Sequence, residues 1–157
     1  LKHLTEDILK NALDIHYFNR RQKGDKCLIY FSTNAMVDEG TEKLNMLYPG
    51  TRIVHFYKDD SDEVFLDPGA EIIVTTVKKC GRAKDIPSLL TVINTVSTQA
   101  KTSIEQMLGR LRKLPDKRTP HYVALYDQGI GAQIRHMQTR RDVLRSRALH
   151  FYMNRLE

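Results

Sequence analysis

"IIVTTVKKCGRAKDIPSLLTVIN", Ile72 to Asn94, holds two strand-type runs separated by a basic, Gly- and Pro-containing loop. "EIIVTT" (Glu71 to Thr76) and "LLTVINT" (Leu89 to Thr95) are short and mostly apolar. Runs of this kind suit strands buried on both faces, as in a parallel sheet. Both end in hydroxyl-bearing residues. In a parallel sheet, ligands bind beyond the carboxyl ends of the strands, so those hydroxyls are candidates for a site.

Working outward, "CLIYFS" (Cys27 to Ser32), "RIVHFYK" (Arg52 to Lys58) and "HYVALYD" (His121 to Asp127) add three more strands. Thr5 to Phe18 reads as a helix, with Leu4, Ile8, Ala12 and Ile15 at helical spacing behind a Thr-Glu-Asp start. "NRRQKGDK" reads as a turn and Ala35 to Leu47 as a second helix. "DDSDEVFLDPGA" reads as an acidic loop with a Pro-Gly turn. A long Arg-rich helix is expected over Ala132 to Met153, with Ile134, Met137, Leu144, Ala148 and Phe151 on its apolar stripe. The order predicts an α/β domain with a mostly parallel sheet flanked by helices and a C-terminal basic helix. Its divisions are a joining helix and turn (1–24), the main lobe (25–130) and the basic helix (131–157). No internal repeat or low-complexity segment is evident.

Between the fourth and fifth strands lies "SIEQMLGRLRK", Ser103 to Lys113. On a helix of 3.6 residues per turn, Ile104, Met107, Leu108 and Leu111 share one face. Gln106, Gly109, Arg110 and Lys113 share the other, and Arg112 sits on the flank. A Gly inside a helix costs about 1 kcal/mol against Ala, so Gly109 marks close approach or an irregular helix. Read alone, the segment is a basic amphipathic helix with a solvated polar face.

The chain has 157 residues, a net charge of +6 and a pI of about 9.4. That balance suits a polyanionic partner. Basic residues concentrate in Lys101 to Arg118 and Gln133 to Arg155, and acidic ones around Asp59 to Asp67. No apolar run approaches the ~20 residues of a membrane span, and no signal-peptide pattern is present. With Cys27 and Cys80 far apart and in no metal-ligand spacing, both are expected reduced, in an intracellular protein of cytoplasm or nucleus, or of a host cell if viral. His55, His121, His136 and His150 form no ligand or triad spacing and are read as structural, and no metal site is expected. Tyr30, Tyr48, Tyr57, Tyr122 and Tyr126 are read as core or strand-face residues.

Ser32-Thr33-Asn34 after the first strand, Thr75 and Thr76 ending the third, and Thr95 to Thr98 after the fourth place hydroxyls in three loops. With the helix start after "FSTN", such a set could hold phosphate oxygens. Taken singly, each is also an ordinary loop or capping residue.

The order of these pieces resembles the second RecA-like lobe of superfamily 2 helicases and translocases. Cys27 to Ser32 and its helix look like helicase motif IV, Ile72 to Asn94 like motif V and the next strand, and "QMLGRLRK", Gln106 to Lys113, like motif VI. The likeness covers about residues 25 to 127. More weakly, the run from motif VI through a strand into a basic helix resembles phage UvsW-type DNA helicases. The resemblance implies ATP and Mg²⁺ held between two lobes, this one supplying an arginine finger to the transferred phosphoryl group. By matching, Arg110 is the finger, Gln106 couples nucleotide to lobe closure, and Gly109, Gly81 and Asp85 lie at the nucleotide. Ser32, Thr33, Thr75, Thr76 and Ser97 would grip a strand's backbone, with Arg140 and Arg141 adding phosphate contacts. The implied partners are nucleic acid, DNA before RNA, and an N-terminal RecA-like lobe of the same parent chain.

Three features depart from the pattern. The second family arginine falls at Lys113, a point charge that cannot form the bidentate fork. Either Arg112 reaches the phosphates instead, or Lys113 does so less geometrically. "RAKDIP" has about two extra residues before Asp85, and little room remains for a helix between the second and third strands. The sequence also lacks GxxxxGK[ST] and any DExD or DExH box. This chain alone is thus expected to hold no nucleotide or metal and to hydrolyse nothing. Since it opens at Leu1, both motifs are expected upstream. The competing expectations are a nucleic-acid-binding domain that kept the fold without the motor, and a basic α/β adaptor for another protein.

Overall fold

The computed structural model describes residues 3–58, 60–80, 86–96, 110–111, 114, 116 and 118–125. All five expected strands form: β1 (Lys26–Phe31), β2 (Ile53–Phe56), β3 (Ile72–Thr76), β4 (Leu89–Asn94) and β5 (His121–Ala124). They make one sheet of order β2-β3-β1-β4-β5, and every pairing is parallel. The apolar runs predicted this. β1, β3 and β4 are buried along their whole length, as strands covered on both faces must be. The outer strands β2 and β5 are four residues each and only partly buried.

Cys27, Ile29 and Phe31 of β1 face one side of the sheet, with Ile72 and Val74 of β3. Leu28 and Tyr30 face the other with Ile73. On the first side lie α1 (His3–Leu13) and α2 (Asn34–Leu47), which contribute Leu9, Ala12, Leu13, Val37 and Leu44 to the core. Gly40 lets α2 sit directly on β1, since a Cβ there would come within 2.7 Å of the Phe31 ring.

Within the segment expected to join, Leu9, Ala12, Leu13 and Tyr17 are buried in the main core. Two expectations change. The first helix is not continuous to Phe18. It widens into a π-turn over Asp14–Phe18, where the Asn19 N–H reaches back to the Asp14 carbonyl at 3.0 Å. This turn carries Tyr17 inward, where its hydroxyl donates to the Asp25 carbonyl at 2.7 Å and the Glu71 carbonyl at 3.2 Å. The acidic stretch after β2 is not all loop. Asp62–Leu66 forms a 3₁₀ turn that buries Phe65 against Phe56, ring centroids 4.6 Å apart. A single tight turn fills the space too short for a full helix. β3 runs into a one-turn helix, α3 (Val77–Cys80). The expected basic helix, 131–157, lies outside the described residues.

Candidate nucleic-acid and nucleotide interface

The carboxyl ends of β1, β3 and β4 meet at the middle of the sheet, and β1 is the strand from which the order departs in both directions. In an open parallel sheet that is where a ligand finds a crevice. The β1–α2 connection is open to solvent there. Ser32 and Thr33 are exposed, and Thr33 caps α2 by accepting the Met36 N–H at 3.2 Å. Ser32 Oγ donates to the Met36 sulfur at 3.4 Å, a weak bond that a phosphate oxygen can displace. The α2 N-terminus adds the positive end of a 14-residue helix.

The other hydroxyls are differently disposed. Thr75 is fully buried, and its hydroxyl donates to the Phe56 carbonyl at 2.6 Å. The expected backbone grip by Thr75 is therefore corrected: the residue ties β3 to β2. Thr76 is nearly buried and accepts the Lys79 N–H at 3.3 Å, capping the α3 turn. Thr95 donates to the Tyr30 carbonyl at 2.7 Å, and the buried Asn94 side chain bridges the Tyr122 hydroxyl and the Val96 N–H at 3.1 and 2.8 Å. Among the described hydroxyls of the three loops, those of Ser32 and Thr33 are exposed.

Cations beside this edge were not singled out from the sequence. Lys58 stands at a turn with φ of 55°, its ammonium 5.0 Å over the Tyr57 ring. Lys79 Nζ donates to the Lys58 carbonyl at 2.7 Å and lies 4.8 Å over Phe56. Lys78 is exposed beside them. Two acids of this region are engaged: Asp60 accepts the Tyr57 N–H and pairs with His55 Nδ1 at 2.7 Å, and Asp38 accepts the Tyr57 hydroxyl. "VKKC" directly after a strand was the available signal.

Arg110 is 9% exposed and engaged inside the lobe, not on a solvated face. Leu111 beside it packs on the Leu28–Tyr30 side, as its place on the apolar stripe predicts, and Leu114 inserts on the opposite side. Gln106, Gly109, Arg112, Lys113, Gly81, Asp85, Ser97, Arg140 and Arg141 lie outside the described residues. Cys27 is a free, buried thiol whose pKa burial raises, so it is no nucleophile. No group of three metal-ligating side chains occurs among the described residues, and no helix among them is long and apolar enough to cross a membrane.

No protein-family model and no curated protein sequence matches the chain. Solved structures do. The C-terminal part of the Fun30 ATPase domain superposes with a TM-score of 0.67 at 16% identity, over 85% of this chain and 44% of that one. The C-terminal domain of the DEAD-box protein Dbp5 gives 0.63 at 14%, over 92% and 79%. Mss116p DEAD-box helicase domain 2, bound to an RNA duplex, gives 0.57 at 15%, over 77% and 47%. The chain thus spans less than half of the Fun30 and Mss116p chains. At these identities the likeness speaks for the fold, and the fold of this chain is that of a C-terminal RecA-like helicase lobe.

Proposed function

We propose that the chain is the second motor lobe of an ATP-dependent nucleic-acid helicase or translocase. The observation that carries this reading is the conjunction of a helicase C-terminal-lobe fold with "QMLGRLRK" placed between β4 and β5. ATP and Mg²⁺ would be shared with an N-terminal RecA-like lobe of the same parent chain, with Arg110 as the finger and Gln106, Arg112 and Lys113 around it. Gly81, Asp85 and Gly109 would border the nucleotide. Ser32 and Thr33, with Lys58 and Lys78 alongside, would hold one strand by its phosphates, a grip indifferent to sequence. Ser97, Arg140 and Arg141 remain proposed contacts of the same kind. DNA rests on the UvsW-like terminal segment alone, and one structural neighbour is an RNA-bound domain.

One observation favours a second reading, a nucleic-acid-binding domain without motor activity: a 9% exposed Arg110 is tucked into its own lobe. Nucleic-acid-stimulated ATP hydrolysis by the two-lobed parent separates the two, because the motor reading requires it and the binding reading excludes it. Titrating this chain with an oligonucleotide at several salt concentrations tests the grip. Affinity should fall with salt by roughly one log unit per log unit of salt for each phosphate contacted. Absence of any salt-dependent binding would point to the protein adaptor instead.

A further inference from the structure

The amino-terminal edge of the sheet, opposite the candidate interface, holds a latch. The loop before β1 carries Asp25, nearly buried. Arg118 grips it with both guanidinium arms, Nη1 to Oδ2 at 2.5 Å and Nη2 to Oδ1 at 3.1 Å. Asp25 also accepts the Gln22 N–H at 2.8 Å, which fixes its carboxylate. Arg118 Nε donates to Asp116 at 2.6 Å. Two further ties join the same segments. Arg20 donates to the Thr119 carbonyl, and His16 Nδ1 meets His121 Nδ1 at 3.0 Å. The Thr91 hydroxyl, donating to the His16 carbonyl at 2.6 Å, fastens this assembly to β4.

Arg118 lies eight residues after Arg110 on the same connection into β5. Along it, Leu111 is held on one side of the sheet, Leu114 on the other, and Arg118 at the amino edge. Among the described residues the connection is thus held at these three points, and the last is a charged pair. A two-armed Arg–carboxylate pair fixes direction as well as distance, which an apolar contact does not. A finger misplaced by about 1 Å can cost 10²-fold in rate.

We infer that Arg118 and Asp25 are positioning residues that set the Arg110-bearing connection through a latch on the far edge of the sheet. This rests on the motor reading of Arg110. Neither residue touches the proposed nucleotide.

The test uses Arg118→Ala and Arg118→Lys in the parent protein; Arg118 is partly exposed, and α2 reports whether its truncation loosens the rest of the lobe. Two readouts are taken: steady-state ATP hydrolysis, and amide hydrogen exchange over 110–125 with α2 as internal reference. Arg118→Ala should lower kcat about 10-fold with KM for ATP unchanged, within the loss allowed for misplacement. Exchange over 110–125 should rise while α2 stays protected. Arg118→Lys, which keeps the charge and loses the fork, should recover only part of both. An active wild type whose kcat is unmoved by Arg118→Ala would overturn the inference and spare the motor reading. So would exchange that rises equally in α2, the mark of general destabilisation. A wild type with no stimulated hydrolysis would overturn the motor reading, and this inference with it.

Discussion

The two ends of the sheet are built differently. At the amino edge several of the described charges hold one another. Arg118 holds Asp25, Arg21 holds Glu71, and Arg52 holds Asp67 at 2.6 Å. The buried Lys26 donates to the Asp67 and Ala70 carbonyls. At the carboxyl edge Ser32, Thr33, Lys58 and Lys78 are all exposed, and Lys58 lies over the Tyr57 ring. One edge spends its polar groups on itself, and the other keeps some for a ligand. Changes at the first edge should therefore cost stability, and changes at the second should cost binding.

The largest stability effect is expected at Asp25. Asp25→Ala removes the carboxylate that Arg118 and the Gln22 N–H hold, and should lower the denaturation midpoint more than the other changes named here. A loss below about 0.5 kcal/mol, the range of ordinary surface changes, would mean that the amino edge does not brace the fold.

Next comes the histidine pair. Burial first, and then the Arg20 guanidinium, hold His121 down to about 4, and the same two causes lower His16. Arg118 holds Asp25 and reaches the Arg20 carbonyl in the same assembly. Above the ordinary histidine pKa of about 6.5 neither the folded nor the unfolded chain protonates these rings. Below it the unfolded chain takes up protons that the folded one refuses, so stability falls as pH drops from about 6.5 toward about 4. Comparing denaturation midpoints across that window, a His16→Gln/His121→Gln variant should show a flatter profile than wild type. Identical profiles would assign the acid sensitivity to the carboxylates.

The carboxyl edge should give the smallest stability changes. Thr33→Ala removes the cap on α2 and should cost about 1 kcal/mol. Ser32→Ala should stay within about 0.5 kcal/mol while weakening oligonucleotide binding. A Ser32→Ala variant that binds as tightly as wild type would remove Ser32 from the grip and blur the contrast between the edges.

The sequence showed the strands because burial on both faces leaves an uninterrupted apolar run, as in Cys27 to Phe31 and Ile72 to Val74. It hid Phe65 because one aromatic inside "DDSDEVFLDPG" has no periodicity to announce it. The state of a hydroxyl was not legible either. Thr75 looks like a free ligand group until the Phe56 carbonyl, 19 positions away, is brought beside it by strand pairing. The latch was invisible for the same reason: Asp25 and Arg118 are 93 positions apart and His16 and His121 are 105, and no local spacing links them. What local pattern carries is burial; what it cannot carry is partnership across the sheet.

Arg110 is the point on which the functional account turns. The most direct measurement is nucleic-acid-stimulated ATP hydrolysis by the two-lobed parent, wild type against Arg110→Ala, with nucleotide binding measured in both. The account predicts a loss on the order of 10³-fold or more in kcat with binding retained. Hydrolysis unchanged by the substitution would contradict it and move the finger to Arg112 or Lys113.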